Sequence, residues 1–114
     1  MESCVFCDIA ARKIPARILL EDEALLAFED VRPQAPLHAL VIPKRHVAHA
    51  NELRSDDADL LGKLVLAAQQ VARLRGAAES GWRLVMNTLD DAGQTVFHLH
   101  LHVLGGRELG WPPG

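Results

Sequence analysis

The sequence has no run of about 18 apolar residues, so no membrane-spanning helix is expected. It has no basic excess either. Twelve lysines and arginines against fifteen aspartates and glutamates give a net charge of −3, which argues against a nucleic-acid polymer as partner. The opening Met1-Glu2-Ser3-Cys4 shows neither the basic nor the apolar region of a secretory leader. Cysteine is scarce, with only Cys4 and Cys7. Two are too few for a disulfide scaffold, so the pair reads as metal or redox chemistry and the expected location is cytoplasmic. Internal repeats, low-complexity tracts and linkers are also missing.

What is present suits one domain spanning residues 1–114, with 49% hydrophobic residues available for a core. Small domains bury less of their surface than large ones, and a dimer interface would help. Val5, Phe6, Ile9 and Ala10 sit at helical spacing in a short element from Cys4 to Lys13, ended near Pro15. Residues 17–21 and 24–28 are short apolar runs parted by Asp22-Glu23, which predicts a hairpin. Asp30 to Leu37 contains Pro33 and Pro36 and reads as loop. His38 to Ile42 reads as a strand closed by Pro43. Ser55 is a candidate N-cap. The apolar positions Leu60, Leu61, Leu64, Val65, Ala68, Val71 and Ala72 then predict one long helix, with Gly76 just past its end. Trp82 to Thr88 reads as a strand, Asp90 to Gln94 as a loop, and Phe97 to Leu104 as a strand. The sum is an α+β fold, a five-stranded antiparallel sheet with one long and one short helix on one side.

The last strand carries the chemistry. Side chains alternate faces along a strand, so Phe97, Leu99, Leu101 and Val103 are expected on the core face. His98, His100 and His102 then share the other, exposed face. A merely solvated face would be served as well by Lys, Thr or Glu, so three histidines need a reason. Imidazoles converge on metals. An imidazole is also largely neutral and nucleophilic near neutral pH. The spacing alone leaves both readings open.

The segment His98-Leu99-His100-Leu101-His102-Val103-Leu104 resembles the signature of the histidine-triad (HIT) superfamily at every position. Gly93-Gln94-Thr95-Val96-Phe97 before it and Leu104-Gly105-Gly106-Arg107 after it extend the match. So do Phe28-Glu29-Asp30, Pro33-Gln34-Ala35-Pro36-Leu37-His38 and Val41-Ile42-Pro43-Lys44. The ending Trp111-Pro112-Pro113-Gly114 is similar to that of the histidine-triad nucleotide-binding (Hint) branch.

The resemblance implies hydrolysis of purine nucleoside phosphoramidates (AMP or GMP conjugates) through a nucleotidylated His100. It also implies His102 at the phosphate and His38 behind the triad in a proton relay. Asp30 would take the ribose hydroxyls. Phe6, Ile14, Phe28 and Val31 would wall the base, Gly93, Gln94 and Thr95 would cradle the phosphate, and Asn87 would touch substrate. It further implies a homodimer with the sheet continued across both subunits, Trp111 reaching the partner's site, and a structural Zn2+ on Cys4, Cys7, His46 and His98. His49 is a rival for His46. Two other functions stay open: cleavage of dinucleoside polyphosphates, and a nucleotide-binding scaffold that works through its partners.

Overall fold

The computed structural model describes residues 4–114; the first three residues, on which the reading of the leader partly rests, lie outside them. Five strands form one antiparallel sheet: β1 (Ile18–Glu21), β2 (Leu25–Glu29), β3 (Leu37–Pro43), β4 (Trp82–Val85) and β5 (Leu101–Gly105). Their spatial order is β1-β2-β3-β5-β4. The hairpin β1–β2 forms where the two short apolar runs place it. Asp22 makes its turn by accepting from the amides of Ala24 and Leu25 at 2.7 and 3.0 Å.

The long helix is α2 (Ala58–Leu74), entered through a 3₁₀ turn at Ser55–Asp57. Ser55 was the expected N-cap. The N-cap is instead Asp57, whose carboxylate accepts from the Arg54 amide ahead of that turn at 2.9 Å. Arg45 holds the same carboxylate at 2.7 Å. Gly76 stands two residues past the helix end, just after the cap residue Arg75, with φ +75°, a conformation that favours glycine.

Leu64, Ala67, Ala68 and Val71 of α2 pack on Leu25, Ala27, Ala39, Val41, Leu101 and Val103 of the sheet. The intervening residues Leu26, Phe28, Leu40 and Ile42 face the other way. They are covered by Phe6 and Ile9 of α1 (Val5–Ala10). The two helices therefore lie on opposite faces, not on one side as the sequence suggested. A six-residue helix reveals its apolar positions but not which sheet face they meet.

The histidine segment departs further from expectation. The ladder begins at Leu101; the chain bends at residues 96–98, and residues 97–100 have no strand pairing. Phe97, expected in the core, is 47% exposed, whereas His98 and His100, expected at the surface, are 0% and 6% exposed. The cause is α1, which roofs the face that would otherwise be solvated. The predicted loop at Asp90–Gln94 also contains a helical turn, α3 (Leu89–Ala92), ended by Gly93 at φ +81°.

Candidate functional site

Sheet register brings the polar cluster together. His102 on β5 stands opposite Leu40, and His38 on β3 stands opposite Leu104. Both histidines occupy even positions, so they share the α1 face as diagonal neighbours within reach of each other. Asp30 follows the end of β2, tied to the His38 carbonyl by its own amide at 2.9 Å. Beneath α1 these residues open on a cavity of about 510 Å³. Phe6, Ile14, Phe28 and Val31 give it apolar walls, and Asp30, His38, Thr95, His100 and His102 supply polar groups. A larger cleft of about 610 Å³ adjoins it across Asp30 and His38, but neither His100 nor His102 reaches that cleft.

Hydrogen bonds to the main chain fix where each imidazole holds its proton. His100 Nδ1 lies 2.7 Å from the His98 carbonyl. A carbonyl only accepts, so Nδ1 carries the hydrogen and Nε2 keeps its lone pair. His38 is determined from the other side. The Gln34 amide donates to His38 Nδ1 at 3.0 Å, so the His38 proton sits on Nε2. That N–H meets His102 Nδ1 at 2.9 Å and Asp30 Oδ2 at 3.4 Å. His102 Nδ1 is thus an acceptor, and the neutral His102 ring holds its hydrogen on Nε2. Arg107 donates to the Gln34 carbonyl at 2.9 Å and steadies the start of this chain. The site therefore offers a bare imidazole nitrogen on His100 beside an N–H on His102, with ring centroids 5.0 Å apart.

Burial keeps these rings neutral. It is the first cause of the lowered pKa at His38, His98 and His100. His102 is pushed down to about 4, by burial first and then by His100 and His38, with Asp30 opposing.

A second cluster lies against the first. Cys4, Cys7, His46 and His98 bring two sulfurs and two ring nitrogens within 4.8 Å of one another. Sulfur-to-nitrogen separations are 3.3, 3.4 and 3.5 Å, and the two Nδ1 atoms are 3.2 Å apart. A tetrahedron built from bonds of about 2.3 Å to sulfur and about 2.0 Å to nitrogen has edges of roughly 3.3 to 3.8 Å. The spacing matches within a few tenths of an ångström. His98 Nε2 donates to the Pro43 carbonyl at 2.8 Å, so its Nδ1 lone pair points into the cluster. Burial first, and then Cys4 beside it, pushes the Cys7 thiol up to about 11. A cation between the two sulfurs reverses that resistance to ionisation. These four residues can hold a metal. His49 is not among them, so the geometry selects His46.

Asp30, His38 and His102 also converge within 4.8 Å. There the Gln34 amide forces an N–H into the space a metal would need. That trio is a hydrogen-bonded chain, whereas lone pairs converge at the cysteine cluster.

The HIT domain family matches residues 11–109. The chain belongs to the HIT family. It is 50% identical over 113 residues to an uncharacterized HIT-like protein of Synechococcus elongatus, covering 99% of this chain and 98% of that one. A HIT family hydrolase from Legionella pneumophila superposes with a TM-score of 0.96 at 49% identity, covering 98% of this chain and 100% of that one. A HIT family hydrolase from Clostridium thermocellum gives a TM-score of 0.93 at 47% identity, with 96% of each chain covered.

In this HIT domain four further sequence candidates lie outside the cavity lining: Asn87, Gly93, Gln94 and Trp111. Asn87 follows β4 and is half-buried. Gly93 ends α3. Gln94 is buried, and its amide nitrogen donates to the carbonyls of Ala48 and Val96 at 2.8 and 3.1 Å. Its oxygen accepts from the Leu89 amide at 2.9 Å. It braces the loop through its side chain and has no free amide group to offer a ligand there. Trp111 is 81% exposed. Residue types had no way to reveal Gln34 and Pro43, because both act through main-chain atoms. Among the described residues, no helix is long and apolar enough to cross a membrane.

Proposed function

We propose that this protein hydrolyses purine nucleoside 5′-phosphoramidates and related nucleotide conjugates at the α-phosphorus, through a nucleotidylated His100. One observation carries the reading. The His98 carbonyl holds His100 Nδ1–H at 2.7 Å, which leaves Nε2 unprotonated on a ring lining the cavity. The Nε2 lone pair attacks phosphorus, the bond from phosphorus to the leaving amine breaks, and the amine departs with a proton taken from solvent. Water then attacks phosphorus, the bond from phosphorus to His100 Nε2 breaks with its electron pair returning to the ring, and the nucleoside monophosphate is released. Covalent catalysis of this kind splits one hard displacement into two easier ones. The His102 Nε2–H is oriented to stabilise charge on the phosphate oxygens. Asp30 accepts from the Arg32 amide through Oδ1 at 2.8 Å, has His38 Nε2 3.4 Å from Oδ2, and keeps lone pairs on both oxygens for ribose hydroxyls. Phe6, Ile14, Phe28 and Val31 take the base.

The relatives described as HIT family hydrolases support the reaction class, and the Trp111-Pro112-Pro113-Gly114 ending favours the Hint branch over polyphosphate cleavage. In this reading the cysteine cluster binds structural Zn2+. Four ligands fill a tetrahedral site and leave no position for an activated water. The functional unit is a homodimer.

The test is rapid quench with an adenosine phosphoramidate followed by mass spectrometry, expected to show one added AMP on His100. No adduct, or an adduct on another residue, would reject the assignment. His100→Ala is expected to lose turnover by roughly a thousandfold or more while retaining AMP binding. Faster cleavage of a diadenosine polyphosphate than of the amide would move the substrate class.

A further inference from the structure

The cysteine pair meets the nucleophile through two contacts. His98 lends its Nδ1 to the metal cluster, and its own carbonyl holds His100 Nδ1–H. The position of one residue therefore serves both sites. The second contact is Phe6, which sits between Cys4 and Cys7 on α1. Its ring stands edge-on to His98 at 5.9 Å and to His100 at 5.1 Å, and it lines the cavity.

The cluster closes three distant parts of the chain on one point: residues 4 and 7, residue 46, and residue 98. A six-residue helix does not hold itself together in water, so α1 depends on what fastens it. The lone pair of a fully buried His98 also faces the His46 nitrogen at 3.2 Å. A cation satisfies both. Without one, only weak sulfur and imidazole hydrogen bonds tie these parts together, so His98, the residue whose carbonyl holds His100, is held less firmly.

We propose that Cys4, Cys7, His46 and His98, holding Zn2+, form a positioning device for His100. The device fixes the tautomer of the nucleophile through the His98 carbonyl, and the purine wall through Phe6. The role of His100 as nucleophile rests on the hydrolase reading; the coupling of its tautomer to the cluster does not. A metal that only fastened the fold would change melting and leave His100 alone.

The experiment uses the full chain, stripped of metal with a chelator and then reloaded with Zn2+. Long-range proton–nitrogen spectra of the imidazoles report which His100 nitrogen is protonated, circular dichroism reports the fold, and single-turnover quench reports nucleotidylation. In stripped, folded protein the Nδ1–H form of His100 is expected to give way to a mixture of tautomers. Nucleotidylation is expected to slow about 10- to 100-fold, the usual cost of losing an outer-shell partner, and Zn2+ should restore both. An unchanged His100 spectrum and rate in stripped, folded protein would overturn the proposal.

Phe6→Leu, which leaves all four ligands in place, covers the case in which stripped protein unfolds. It is expected to keep one zinc per chain yet bind AMP more weakly and react more slowly. Wild-type affinity and rate in that zinc-loaded variant would also overturn the proposal. Loaded protein that never becomes nucleotidylated, but whose His100 tautomer still follows zinc, would reject the hydrolase reading and uphold the coupling.

Discussion

At His102, burial and the neighbouring rings of His100 and His38 move the pKa to about 4, while an unfolded histidine titrates near 6.5. Between those values the unfolded chain binds a proton that the folded chain refuses. Stability must then rise with pH across that window. It is fully present above about pH 6.5 and is lost as the pH falls toward 4. His38, His98 and His100 shift in the same direction and add to the slope. Melting temperature is therefore expected to drop steadily from pH 7 to pH 5. His102→Gln removes one of the responsible groups and should show a shallower drop over the same range. Equal slopes for the two proteins would contradict the burial argument. Burial lowers the pKa of His100 as well, so the acid limb of kcat/KM is expected below the ordinary histidine range.

Among the elements, the loop before β5 shows what a pattern can and cannot carry. Apolar and polar residues alternate from Phe97 onward, yet the ladder starts only at Leu101. Period two reports which way side chains face only where the backbone is extended, and the chain bends at residues 96–98 before the strand begins. Here the Leu99 amide bonds to the Val47 carbonyl instead. The long helix was legible because seven apolar positions repeat over several turns. The turn at Leu89–Ala92 is shorter than one such repeat. The family resemblance named candidates, several of which meet at the cavity, but not their burial, because that depends on which face α1 covers. Gln94 is the brace of this loop. Gln94→Ala strands the Leu89 amide and the carbonyls of Ala48 and Val96, at an expected cost of about 1–3 kcal/mol. Gln94→Glu replaces a donor to two carbonyls with a carboxylate and should cost at least as much. Urea melts measure both, and a change within about 0.5 kcal/mol for either, the range of ordinary surface substitutions, would remove the brace.

For the whole molecule, the question is where Trp111 works. It is exposed and lies outside its own cavity, on a chain whose sheet ends at the open edge β4. An open edge presents unpaired amides and carbonyls ready for another strand. Val65, Leu66 and Leu74 leave apolar surface on α2 as well. In the proposed dimer, Trp111 of each chain closes the partner's cavity. Sedimentation should then report twice the chain mass of 12.5 kDa. Mixing two defective proteins tests the cross-subunit role. His100→Ala has no nucleophile, and Trp111→Ala is expected to slow turnover about tenfold, as loss of one aromatic anchor does. If Trp111 acts across the interface, each mixed dimer contains one intact site, formed by His100 of one chain and Trp111 of the other. Activity after unfolding and refolding the two together should then exceed the sum of the separately refolded proteins. If Trp111 acts within its own chain, every site in the mixed dimer keeps one defect, and the mixture shows no gain.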